Sequence, residues 1–169
     1  MGYRTWTGIL NAADYGLPQE RRRAVLMASR SRQPMPPRPT HAEGGEDLFG
    51  ETSPWVSMAE ALGLPSGCWY DSGQDSTMGG GTKQRYTRSC ERPAGTVTGK
   101  TTSQWVLYTG ADVRLPKLRL GDACVLQGFP IDYPFQGSTA EKLQQVGDAI
   151  PPLLAGHVLG VLTDRVFTG

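Results

Sequence analysis

Gln19, Arg21 and Arg23 stand at alternate positions, so in an extended strand they would share one face while Glu20 and Arg22 share the other. Arginine keeps its charge at any accessible pH and holds its donors in a rigid fork. Two such groups beside a glutamine suit an oxygen that gathers negative charge. The plainer alternative is that Arg21-Arg22-Arg23 is a solvated run of charge. Other reactive side chains are few. Cys68, Cys90 and Cys124 are odd in number and share no metal-ligand spacing, which fits reduced thiols and predicts no metal site. His41 and His157 read as packing or surface residues.

The charges that surround these residues are segregated. Residues 1–40 carry seven arginines against Asp14 and Glu20, whereas residues 41–78 carry seven acids and no lysine or arginine. Residues 79–105 are basic again, with Lys83, Arg85, Arg88, Arg92 and Lys100 against Glu91. The formal total of +1 therefore conceals two basic islands around an acidic insert, a pattern that could face phosphates or could simply self-neutralise. No apolar run approaches a bilayer's thickness and no signal-peptide pattern opens the chain, so a cytoplasmic protein without a membrane partner is expected.

The elements that would position these residues begin with two strands, 5–12 and 23–29, joined by turn chemistry at Asp14-Tyr15-Gly16-Leu17-Pro18 into an antiparallel pair. A Pro- and Gly-rich linker fills 30–53. Ser53-Pro54 offers a helix N-cap and first position, with Met58, Ala61 and Leu62 on the apolar face and Gly63 at the end. Residues 66–104 suggest short strands and long loops, and Trp105–Tyr108 a strand. A short helix carries Ala123, Val125 and Leu126 and closes at Gly128 and Pro130. Ser138-Thr139-Ala140-Glu141 is a capping box for a helix to about Val146. Pro151 starts a last helix, with Leu154, Val158, Val161 and Leu162 on one face.

Three stretches in order resemble the late motifs of the DNA cytosine-5 methyltransferases. Asn11–Arg23 resembles the eighth motif, with its Gln-x-Arg-x-Arg core. Leu126-Gln127-Gly128-Phe129-Pro130 resembles the end of the ninth, and Gln145–Pro152 the tenth. The resemblance implies a partial α/β chain: C-terminal strands and helices of a methyltransferase fold that uses S-adenosylmethionine, plus a small, mostly β and irregular target-recognition domain. It places a hairpin of the catalytic domain at 1–30, the recognition domain at 31–112, and helices returning to the catalytic domain at 113–169.

In that family a cysteine thiolate adds to C6 of a cytosine flipped out of duplex DNA, and C5 then attacks the methyl of S-adenosylmethionine. The resemblance implies catalytic roles for Gln19, Arg21 and Arg23: Arg23 on the flipped base or its phosphate, Arg21 orienting a neighbouring loop. Gly79–Tyr86 resembles a first recognition loop, in which Gln84 and Arg85 would read purine edges and Lys83 a phosphate. Pro93–Thr102 resembles the strand and second loop, so Arg88, Thr98, Lys100 and Thr101 complete the expected DNA contacts. The alternative is a glycine loop with no partner. Asp148 and Ala149 fall where relatives touch the cofactor. Asp148 replaces an asparagine, and a carboxylate there would meet an amine or a protein donor rather than the cofactor's own carboxylate. In the ninth motif Lys117-Leu118-Arg119 and Asp122 also depart from the family pattern, with Arg114 a substitute for its arginine.

The family's early motifs are absent. No Phe-x-Gly-x-Gly, Pro-Cys or Glu-Asn-Val occurs, and Cys68, Cys90 and Cys124 follow Gly, Ser and Ala. Alone, the chain should not methylate DNA. Two expectations compete: one half of a split enzyme, completed by an N-terminal methyltransferase subunit that shares the cofactor, or a remnant that acts as a DNA-binding module. The strands at 5–12 and 23–29 favour the first, since alone they would expose an edge and an apolar face. A protein-interaction scaffold without DNA affinity remains a third.

Overall fold

A computed structural model describes residues 2–45, 50, 52–72 and 87–163. Strands β1 (Arg4–Asn11) and β2 (Arg22–Ser29) pair antiparallel, in register from Arg4↔Ser29 to Asn11↔Arg22. Between them a 3₁₀ turn, Ala12–Tyr15, ends at Gly16, whose φ of 85° is the left-handed conformation that glycine tolerates. The hairpin has two unlike faces. Trp6, Leu10 and Val25 turn inward, and with Ala12, Tyr15 and Leu17 form a small core against Leu153, Leu154 and Val158; Met27 is buried too, on the same strand face as Val25. On the other face Thr5, Thr7, Ile9, Ala24, Leu26 and Ala28 are all exposed, Ile9 at 72% and Leu26 at 69%.

Residues 30–40 run without helix or strand, held by Tyr15 Oη donating to the Pro37 carbonyl at 3.0 Å. The expected helix start at Ser53-Pro54 is corrected. These residues form β4 (Ser53–Pro54), parallel to β3 (His41–Ala42), because Ser53 N–H reaches the Thr40 carbonyl and Trp55 N–H the Ala42 carbonyl. The Trp55 indole N–H also donates to Asp14 Oδ1 at 3.0 Å, which holds the stretch extended. Helix α1 (Met58–Leu62) instead starts after Ser57, whose Oγ accepts the Glu60 N–H, and stops at Gly63 as its sequence predicts.

The larger core is built on the sheet β6–β5–β7, with β5 (Trp69–Asp71) antiparallel to both β6 (Thr87–Ser89) and β7 (Val106–Tyr108). A one-turn helix, α2 (Thr101–Gln104), precedes β7 where short strands and loops were expected. Met58, Tyr70, Val97 and Leu107 pack with Leu126 of α3 (Leu120–Leu126) and Val146 of α4 (Thr139–Asp148). Buried side chains thus cross the expected boundary at 112. The capping box at Ser138 and Glu141 forms as its spacing predicts, and α4 runs two residues past Val146.

Helix α5 (Pro152–Thr163) starts one residue later than expected, Pro151 supplying the carbonyl for Ala155 N–H. Residues Thr139–Thr163 together are long and apolar enough to span a bilayer. The chain breaks between them, however: Ala149 is extended, with φ −61° and ψ 148°. Of the four residues expected on the apolar face of α5, Leu154 is fully buried; Val158, Val161 and Leu162 are half-buried.

Candidate functional site

The chain reaches the site before β2 begins. Pro18, Gln19 and Glu20 run parallel to Ala94, with Ala94 N–H on the Pro18 carbonyl (2.9 Å) and Glu20 N–H on the Ala94 carbonyl (2.8 Å). This pairing aims Gln19 into the protein, where it is fully buried. Its Oε1 accepts the Val97 N–H at 2.8 Å; its Nε2 donates to the Leu126 carbonyl at 3.0 Å and to Gln127 Oε1 at 2.6 Å.

Arg21, 3% exposed, points to the same region. One terminal nitrogen donates to the Val97 carbonyl at 3.0 Å, the other to the carbonyls of Gly147 (2.7 Å) and Ala149 (3.2 Å). Its Nε is buried without a hydrogen-bond partner. Burial, and then the nearby charge of Arg23, depress its pKa to about 10, with Asp148 acting the other way. At neutral pH the guanidinium stays charged, held by carbonyl dipoles rather than by a carboxylate.

Arg23 does not join them. It is exposed in β2, opposite Leu10, and donates to the Arg22 carbonyl at 2.8 Å. Of the three side chains expected along one edge, Gln19 and Arg21 are buried and Arg23 is exposed, though its charge still acts on Arg21. Arg21 already follows the end of β1, with its N–H on Asn11 Oδ1 and its carbonyl accepting the Ala12 N–H, so Arg21 and Arg23 differ in what covers them.

The closing segment meets the second expected loop directly. A Cβ on Gly147 would lie 2.5 Å from the Gly99 nitrogen and 2.6 Å from the Thr98 carbonyl carbon, so α4 and the loop touch backbone to backbone. Thr98 is half-buried and Lys100 exposed. Thr101 is fully buried, and its Oγ1 accepts the Thr98 N–H at 2.8 Å. That side chain closes the loop from inside and presents no surface to a ligand. Arg88 is exposed on β6, 3.8 Å from the Glu20 carboxylate, which also lies 3.7 Å from Arg92. Glu20, Arg88, Ser72, Gly95, Thr96 and Trp105 line a polar cleft of about 200 Å³. Lys83, Gln84 and Arg85 lie outside the described residues.

Asp148 is exposed and accepts from Gln144 Nε2 at 2.7 Å, a protein donor of the kind its sequence position predicts. Ala149 uses both backbone groups internally: its N–H donates to Gln145, and its carbonyl accepts from Arg21 and Gln127. Gln127 is the residue that motif reading passes over. It is fully buried and spans from Gln19 to the Ala149 carbonyl, 2.8 Å from its Nε2. A polar residue at the end of an apolar helix was the available signal. Asp122, which departs from the family pattern, accepts the Arg119 N–H at 2.6 Å and so caps α3.

The three thiols are buried, and burial pushes those of Cys90 and Cys124 upward, away from the nucleophilic thiolate. Among the described residues no cluster of His, Cys, Asp and Glu could hold a metal ion.

Comparison with known proteins completes the description. Residues 1–48 and 46–163 match the family model of the C-5 cytosine-specific DNA methylases. The chain is 29% identical over 174 residues to the Type II methyltransferase M1.HphI of Haemophilus parahaemolyticus, covering 92% of this chain and 46% of that protein. It is 27% identical over 166 residues to M.AplI of Arthrospira platensis, with 92% and 46% covered. A shorter match, 49% identical over 54 residues, covers 31% of this chain and 13% of M.XorII of Xanthomonas oryzae pv. oryzae. The chain thus spans about half the length of the first two.

Proposed function

The chain belongs to the C-5 cytosine-specific DNA methylases, and from that premise we propose that it is the target-reading and base-steadying portion of such an enzyme, active only with a partner that carries the early motifs. The substrate is duplex DNA, and the compartment is the cytoplasm. The observation that carries the reading is the bonding of Arg21, which joins the segment before the second loop at Val97 to the closing segment at Gly147 and Ala149.

Within that reading the roles divide by burial. Gln19 and Arg21 lie too deep to meet a base; they hold the surrounding backbone in place. Arg23 is free to reach outward, where its fork would donate to the oxygen of a flipped cytosine or to its phosphate. Thr98 and Lys100 lie at the loop surface next to this region, and Arg88 beside the polar cleft, as DNA contacts; Lys83, Gln84 and Arg85 belong to the same expected set.

S-adenosylmethionine, shared with the partner, would supply the methyl group. The donor set here fits one part of it: the exposed Asp148 carboxylate suits an ammonium or hydroxyl and repels a carboxylate. The Ala149 backbone, already committed, would contribute shape rather than hydrogen bonds.

Support for a partner comes from two uncovered apolar surfaces. The outer hairpin face bears Ile9 and Leu26, and α5 is apolar around its circumference yet fully buries only Leu154. Covering each large side chain would contribute about 1.5–3 kcal/mol. The test is methyl transfer to duplex DNA by the chain alone, by a polypeptide carrying Phe-x-Gly-x-Gly, Pro-Cys and Glu-Asn-Val motifs from a relative, and by the two together. Transfer by the mixture alone, abolished by Arg23→Ala, is expected. Full activity of the Arg23→Ala mixture would remove the role given to that residue. Tight binding to the polypeptide with no duplex binding at low salt would instead favour the scaffold.

A further inference from the structure

The two buried glutamines have only one workable arrangement. Gln19 Oε1 must face the Val97 N–H, which leaves its Nε2 for the Leu126 carbonyl and Gln127 Oε1. Gln127 then has only its Nε2 to offer the Ala149 carbonyl. Turning either fully buried carboxamide over would set donor against donor or acceptor against acceptor, at a cost comparable to a lost hydrogen bond. The bonds therefore run in one sense, from Val97 through Gln19 and Gln127 to Ala149. Arg21 closes the circuit from the other side, on the carbonyls of Val97, Gly147 and Ala149. Each joined segment comes from a different part of the chain: residues before β2, the approach to α2, the end of α3 and the end of α4.

We propose that Gln127 is a positioning residue which, through Gln19, locks the segment starting at Val97 to the segment 147–149, so that the DNA-reading and cofactor-facing sides move as one body. What those two sides do rests on the function proposed above; the mechanical link does not. A leucine at 127 would fill the space without joining the circuit. A glutamate would still accept from Gln19 but would turn a second acceptor on the Ala149 carbonyl.

Backbone-amide hydrogen exchange on the whole chain separates these cases. In Gln127→Leu the amides of Val97 and Ala149, bonded to Gln19 Oε1 and the Gln145 carbonyl, are both expected to exchange about ten-fold faster. The Cys90 amide, bonded to the Cys68 carbonyl in the same large core, should keep its native rate. In Gln127→Glu the Val97 amide should stay slow and the Ala149 amide alone accelerate. Acceleration confined to residues 126–128, or equal acceleration of all three amides in both variants, would overturn the link. If Gln127→Leu does not fold, the split between Val97 and Ala149 in Gln127→Glu decides the matter. The measurement uses neither DNA nor cofactor, so a failure to bind duplex would count against the proposed function and leave this result readable.

Discussion

Gly147, in the last turn of α4, rests on the backbone of Gly99, and a methyl group at 147 would lie 2.5 Å from the Gly99 nitrogen. Neither partner is the flexible end of a side chain, so the contact cannot be relieved by a rotamer change. Gly147→Ala should therefore destabilise the chain by about 1–3 kcal/mol through overpacking, offset by up to about 1 kcal/mol of helix propensity. Urea denaturation measures the net value. A variant more stable than the parent would show that the loop and helix do not touch.

Arg21 and Arg23 should separate by stability. Arg21→Ala strips the carbonyls of Val97, Gly147 and Ala149 of buried charged donors, and a loss of roughly 3 kcal/mol is expected. Arg23→Ala removes an exposed side chain and should stay within about 0.5 kcal/mol of the parent. Equal losses would place both side chains in the same environment.

The His157 ring packs tilted at 45° with its centroid 5.0 Å from that of Tyr15, and burial, then the charge of His41, hold its pKa below 6.5. A base with a lowered folded pKa binds its proton more readily when unfolded, so unfolding takes up protons as the solution is acidified. Its contribution is intact above about pH 6.5 and declines as pH falls from there through the folded value. His157→Phe should flatten this part of the stability profile. An unchanged slope would assign it to another group.

The basic islands predict weak duplex binding that falls steeply with salt. Lys100 is exposed beside the loop, and Lys100→Ala should weaken binding similarly for all sequences and lower the salt slope by about one. Mobility-shift titrations at several salt concentrations report this. No binding at low salt would count against any DNA-reading role for the chain.

Much of the architecture was legible from local signals. The antiparallel hairpin, the stop at Gly63 and the Ser138–Glu141 cap depend on periodicity and on bonds within a few residues, so the sequence around them is sufficient. The motif stretches brought Gln19 and Arg21 towards the Gly147–Pro152 segment but gave Gln127 no role. Ser53-Pro54 misled because its deciding partners, Thr40 and Ala42, lie more than ten residues upstream.

By itself, the sequence determined the family, the first hairpin, the late helices and which polar residues were available to a site, since these follow from residue type and spacing. Only the tertiary structure decided that Gln19 and Arg21 are buried and Arg23 exposed, that Thr101 closes its loop from within, and that Gln127 belongs to the same circuit. The physical reason is that alternation fixes only which side of a strand a residue takes. What covers that side here is Val97, Leu126 and the 147–149 segment, which lie between 76 and 128 residues away in sequence from the side chains they meet.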